Sequence, residues 1–143
     1  MRILISACLL GICCRYDGKS KTCADAAALA EKHQLVPVCP EQLGGLTTPR
    51  TASERLEDRV ISRDGMDRTA EYALGARQAE KLYDLLRCDC AVLKAKSPMC
   101  GHGAIYDGTF SKTLTAGSGV LAERLEARGI SVYTENEISD IGK

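Results

Sequence analysis

Four short apolar runs are spaced along the chain, with a helix-compatible stretch in every interval between them. That alternation limits the fold more than any other feature. The runs are residues 2–6 (RILIS), 35–38 (LVPV), 91–93 (AVL) and 130–133 (ISVY). Strands separated by helices need right-handed crossovers, and these build a parallel sheet covered on both faces. Pro37 lies inside the second run and has no N–H to give a ladder, so that strand belongs at a sheet edge. The expectation is α/β: a single Rossmann-like three-layer domain over residues 1–143, with a short, mainly parallel four-stranded sheet in the order 2-1-3-4. In such sheets ligands bind beyond the carboxyl ends of the strands, where the winding reverses.

The intervening helices are predicted at residues 23–32, which are alanine-rich, from Thr69 as N-cap through residue 86, and at 119–128. Ala73, Ala76, Ala79, Leu82, Tyr83 and Leu86 recur at helical spacing. Leu121 and Leu125 face inward on the last helix, and Gly129 stops it. An Asp64–Gly65 turn signal suggests a small hairpin over residues 59–68. Residues 94–117 read as a glycine-rich loop.

Composition narrows the function. Forty-five per cent of the 143 residues are apolar, which excludes disorder. No apolar run is long enough for a membrane span or a secretory leader, so a cytoplasmic protein is expected. Nineteen basic residues balance nineteen acidic ones, and there are five Tyr, one Phe and no Trp. Neutral charge and few stacking rings argue against intact tRNA as the substrate. Eight cysteines in a chain able to form its own core point to metal binding or thiol chemistry rather than a disulfide framework.

The strand order sorts those cysteines. Cys8 lies two residues beyond the first strand, Cys39 directly follows the second, and Cys100 lies in the loop leaving the third. All three sit at one end of the sheet, on adjacent strands. Cys88 and Cys90 precede the third strand and belong to the opposite end, where plain burial suffices. Cys23 starts a helix and reads as structural. Cys13 and Cys14 share the loop of Cys8, and spacing leaves open which of the three is offered. No C-x-x-C occurs, which weakens zinc-ribbon and thioredoxin-type readings. His33 reads as solvated and His102 as a bystander.

Three blocks carry a family resemblance: SACLLG followed by RYDG, then PVCPEQLGGLTTPR, then KAKSPMCG. In this order and spacing they resemble the signature blocks of the thiouracil desulfidases (TudS-type), a small iron–sulfur domain family. RDGMDRT and TAGSGV resemble its weaker motifs, so the likeness covers essentially the whole chain. It implies a [4Fe–4S] cluster with three cysteine ligands, Cys8, Cys39 and Cys100, and one open iron. Family members commonly lack a cysteine at the positions of Cys13 and Cys14. The implied reaction is non-redox desulfuration of thiolated pyrimidines such as 4-thiouracil or 4-thio-UMP, with the substrate sulfur on the open iron and sulfide released. Iron is thiophilic, and an open iron acts as a Lewis acid.

The resemblance also places the family's catalytic glutamate at Glu41 and its active-site serine at Ser97. Glu41 is the candidate general acid/base, though a carboxylate also suits the start of a helical turn. Ser97 either hydrogen-bonds the reacting group or makes a turn contact before Pro98. Asp17 reads as a turn residue. The amides at Ser118 and Gly119 form a candidate phosphate seat at a helix start, with a plain Ser118 cap as the alternative. Arg15 and Arg50 lie in the same loops as the cysteines and are further candidates for a phosphate. Two other functions compete: a non-enzymatic iron–sulfur or zinc carrier, which calls for four ligands and no Glu41, and a nucleobase sulfurtransferase, which calls for a nucleotide-activating loop the chain lacks.

Overall fold

The computed structural model describes residues 1–143. Its central sheet is parallel, with strands β1 (Arg2–Ser6), β2 (Gln34–Val38), β5 (Cys90–Val92) and β8 (Val132–Tyr133) in the order β2-β1-β5-β8. Numbered among the four runs, this is the expected 2-1-3-4. Pro37 stands opposite Ile5 on edge strand β2, where its missing N–H interrupts no inner ladder.

Side-chain alternation divides the core in two. Leu4, Ala91 and Val132 pack on one face against Tyr72, Ala76, Ala79 and Tyr83 of α3 (Thr69–Leu85) and against Leu121 and Leu125 of α4 (Val120–Ala127). Leu121 and Leu125 are fully buried, which stabilises by about 1.5–3 kcal/mol each. Ile3, Ile5, Cys90 and Val92 point to the other face, as a two-residue period requires. That face is covered more thinly, by α1 (Ala24–Ala28) and by 3₁₀ turns at Ala7–Leu10 and Leu29–Glu31. No helix is long and apolar enough to cross a membrane.

Several expectations need correction. The stretch 23–32 divides into α1 and a following 3₁₀ turn. Thr69 is the first helical residue rather than the cap. Its N–H donates to Asp67 Oδ1 (2.9 Å), and its hydroxyl accepts from Val60 N–H (2.9 Å). Leu86 lies beyond the helix end and is exposed. Gly119 occupies the N-cap position of α4 rather than its first turn.

The regular hairpin pairs β3 (Ser53–Leu56) with β4 (Arg59–Ser62) and turns at Glu57–Asp58. The Asp64–Gly65 turn exists, but it returns the chain through a single Ile61–Asp67 bridge. A second hairpin, β6 (Ala104–Tyr106) with β7 (Leu114–Ala116), stands inside the stretch expected to be loop. Leu56 is exposed in β3 and every residue of β7 is exposed, so neither strand carries a readable apolar face.

Candidate active site

A cavity of about 270 Å³ opens at the carboxyl ends of β1, β2 and β5. Cys8, Cys39 and Cys100 all line it, as do Cys14, Glu41 and Ser97. Cys8 is held in the 3₁₀ turn that ends β1, a turn closed by Gly11 at φ 95°. Cys39 is the N-cap residue of α2 (Pro40–Leu43), whose first position is a proline, as suits a residue without an N–H. Cys100 lies just before the point where the chain turns toward β6.

The Cys100 loop is fixed by two devices. Ser97 Oγ accepts the N–H groups of Met99 and Cys100, both at 3.1 Å. With both acceptor positions filled, the hydroxyl hydrogen is what Ser97 can offer the cavity. The second device corrects the expected phosphate seat. At the start of α4 the amides of Gly119, Val120 and Leu121 donate to the carbonyls of Gly101 (2.7 Å), Pro98 (2.9 Å) and Met99 (2.8 Å). A Cβ on Gly119 would stand 2.4 Å from Met99 C. Ser118 donates to Glu126 Oε1 (3.0 Å) and accepts from Gly103 N–H. Neither Ser118 nor Gly119 lines the cavity. Their glycine–serine–glycine run lets α4 grip the cysteine loop, and the Gly119, Val120 and Leu121 amides are spent on that grip.

Glu41 is placed by a backbone-to-backbone helix crossing. A Cβ on Gly44 would fall 2.0 Å from Glu71 O, and one on Gly75 would fall 1.9 Å from Pro40 O. Glu41 Oε1 then accepts from Tyr72 Oη (2.8 Å) and Arg50 Nε (3.1 Å). Arg50 also donates to Thr47 O, Thr48 Oγ1 and Cys14 O. With four donors so occupied, Arg50 ties the Cys14 and Glu41 loops together instead of standing free for a phosphate. Arg15 lines the cavity over the Tyr16 ring, 3.8 Å from Asp17.

The thiols influence one another electrostatically. Burial pushes Cys8 up to about 11, against the pull of Lys94, and pushes Cys100 higher still, against the opposing effect of the nearby Ser6 hydroxyl. Cys39 Sγ donates to the Cys14 carbonyl (3.6 Å), and the two neighbouring thiols split, Cys39 being lowered by the adjacent Cys14 and Cys14 raised by the adjacent Cys39. Buried neutral thiols of this kind become thiolates when a cation joins them. No three His, Cys, Asp or Glu side chains close on a single ion-sized point. Three buried or half-buried thiols on one cavity are the donor type that an iron–sulfur cluster takes, one thiolate per iron.

Cys13 is exposed and outside the cavity; Cys88 and Cys90 are buried, and they and Cys23 stand away from it. His102 pairs with Glu126 (2.5 Å), also outside. Sequence reasoning missed Ser6 and Tyr72. Ser6 ends an apolar strand with a buried hydroxyl that accepts Lys94 N–H (2.9 Å), and a polar residue closing such a run was the available signal. Tyr72 lay hidden in a stripe of alanines.

Fold and site define a class: a parallel α/β sheet whose carboxyl edge carries a cysteine-lined pocket with two glutamates, Glu41 and Glu54. A family model described as 2-thiouracil desulfurase matches residues 3–137, and the chain belongs to that family. It is 38% identical over 149 aligned residues to the uncharacterized protein YbbK of Bacillus subtilis (strain 168), covering 97% of this chain and 99% of that one. It also resembles the solved structure of a [4Fe–4S]-dependent thiouracil desulfidase, TudS. The TM-score is 0.92 at 39% identity, over 98% of this chain and 94% of that one.

Proposed function

We propose that this protein binds a [4Fe–4S] cluster through Cys8, Cys39 and Cys100 and converts small thiolated pyrimidines, 4-thiouracil or 4-thio-UMP, to their oxo forms. Water replaces sulfur at carbon, sulfide leaves, and no electrons are gained or lost overall. The observation that carries this reading is the meeting of three strand-end cysteines, Glu41 and Ser97 around one cavity.

When bound, a cluster with three protein thiolates supplies a thiophilic, Lewis-acidic iron. The remaining work falls to the chain. Glu41 Oε1 is held by Tyr72 and Arg50, which leaves Oε2 without a protein partner. Oε2 is therefore the atom to take a proton from the attacking water and return it to the departing sulfur. The Ser97 hydroxyl hydrogen orients the group at the reacting carbon. Ser6 holds the backbone at Lys94, where the third strand leads into the Cys100 loop, and Arg50 holds the Cys14 loop against Glu41.

Cys14 supports a second reading. It lines the same cavity, and its carbonyl accepts from Cys39 Sγ (3.6 Å); as a fourth thiolate it would close the cluster and make the protein a carrier. Anaerobic reconstitution separates the two. The desulfidase reading expects about four irons per chain and sulfide release from 4-thiouracil or 4-thio-UMP, both retained in Cys14→Ala. An iron-loaded protein that releases no sulfide from either substrate overturns it.

A further inference from the structure

Four cysteines line the cavity, and the ligand set of Cys8, Cys39 and Cys100 leaves Cys14 without a role. Cys14 is not a surface thiol that happens to lie near the site. It is 3% exposed, whereas its chain neighbour Cys13 is exposed and outside the cavity. Cys39 is half-buried at the cavity wall, within reach of a small solute.

Two anchored segments bring Cys14 against Cys39, twenty-five residues apart in the chain. Cys39 Sγ donates to the Cys14 carbonyl (3.6 Å). Arg50 Nη2 grips the same carbonyl (2.9 Å), and the Arg50 backbone N–H donates to Tyr16 O (2.8 Å). Arg50 Nε in turn holds Glu41, two residues beyond Cys39 (3.1 Å). The loop carrying one thiol is therefore fastened to the loop carrying the other. Two cysteines can be bridged only when their sulfurs meet without large backbone movement, and here the backbone already holds them together. A thiol oxidised beside a second thiol closes to a reducible disulfide; one without such a neighbour goes on to sulfinic and sulfonic acids, which simple thiols do not reverse.

We infer that Cys14 is a resolving thiol for Cys39: when a hydroperoxide strips the cluster, the two sulfurs join in a disulfide that keeps the ligand recoverable. The inference rests on the proposed function for the role of Cys39 as a cluster ligand. The Cys39 thiolate attacks one oxygen of hydrogen peroxide; the O–O bond breaks, hydroxide leaves, and Cys39 becomes a sulfenic acid. The Cys14 sulfur then attacks the Cys39 sulfur. An S–S bond forms, the S–O bond breaks, and water leaves with the Cys14 proton. Two thiols and one peroxide give one disulfide and two waters, the sulfurs losing the two electrons that the peroxide gains. A small dithiol reverses the bridge by exchange.

The test treats the reconstituted protein with hydrogen peroxide until its visible absorbance is lost, blocks the remaining free thiols with N-ethylmaleimide, and maps the cysteines by peptide mass spectrometry. A second portion is reduced with dithiothreitol and reloaded with iron anaerobically. Cys14–Cys39 is expected as the main bridge, and iron per chain should return close to its starting value. Cys14→Ser, given the same treatment, should accumulate sulfinic and sulfonic acid at Cys39 and recover severalfold less of its own starting iron. Cys13→Ser should give the same bridge and the same recovery as the unaltered chain. A map in which Cys39 is unbridged, or bridged to Cys8, Cys13 or Cys100, overturns the inference, and it needs no variant that could fail to fold. Full iron recovery in Cys14→Ser also overturns it. If the Cys14–Cys39 bridge forms and reloads as expected while no thiopyrimidine yields sulfide, the resolving role stands and the desulfidase reading falls.

Discussion

The floor and the mouth of the cavity are built by different means. The floor takes its residues from the ends of parallel strands, so Cys8, Cys39 and Cys100 converge because β1, β2 and β5 are neighbours. The mouth takes Arg63, Phe110 and Lys112 from the turns of two small hairpins; buried Glu54 accepts the N–H groups of Gly108 (3.0 Å) and Phe110 (3.1 Å), and Phe110 and Lys112 have left-handed backbone. A floor set by topology suits a cofactor, because it cannot shift without the core. A mouth set by a few polar contacts suits substrate selection, because its residues can change while the sheet stays intact.

The largest effect should come from the floor. Cys8→Ala, Cys39→Ala and Cys100→Ala should each remove the bound iron or its stability, together with sulfide release, whereas Cys88→Ala and Cys90→Ala at the opposite end should keep both. Iron per chain and visible absorbance check this. Iron retained in Cys8→Ala but lost in Cys14→Ala would reassign the first ligand. Glu41→Ala comes next: iron should be retained while kcat falls by ~10²–10⁴-fold, and an unchanged kcat would return Glu41 to a plain helix-start role. Ser97→Ala should be milder, about tenfold, in line with one lost hydrogen bond of roughly 1.4 kcal/mol.

Smaller effects test how each region is supported. Tyr72→Phe keeps the buried ring and removes only the donor to Glu41. A net hydrogen-bond loss of about 1 kcal/mol should lower kcat roughly fivefold and leave KM near its starting value. An effect on KM alone would mean that Tyr72 acts on substrate binding and not through Glu41. Glu54→Gln should be the mildest for turnover. It weakens two backbone contacts by about 1 kcal/mol in total, roughly 3–4 °C in Tm for a chain of this size, and leaves the iron content unchanged. Loss of iron in Glu54→Gln would mean that floor and mouth are not independent.

The same contrast governs what was legible in the sequence. The strand runs, the edge position marked by Pro37 and the common end of three cysteines follow from periodicity and chain order, and all are read directly. The strand Ser53–Leu56 was not, because its buried residue is Glu54 and its exposed apolar residue is Leu56, the reverse of the usual pattern. Leu114–Ala116 carries no alternation because all three residues are exposed. Ser118 and Gly119 show why a motif alone misleads: glycines at a helix start serve an anion or a neighbouring backbone equally well, and only the carbonyls of Pro98, Met99 and Gly101 decide between them. Arg50 is the same case among side chains, since its partners come from three separate positions in the chain.

The contact between Gly44 and Gly75 limits how this protein can vary. Glu41 is located by main chain resting on main chain, and no rotamer change can absorb an added carbon at either position. Replacing glycine by alanine in a helix, ordinarily a safe route to greater stability, would here push α2 away from α3 and carry the carboxylate with it. An engineer seeking a sturdier variant should leave that pair alone and work on the outer face of α3, where Arg77, Gln78 and Lys81 are exposed and distant from the cavity.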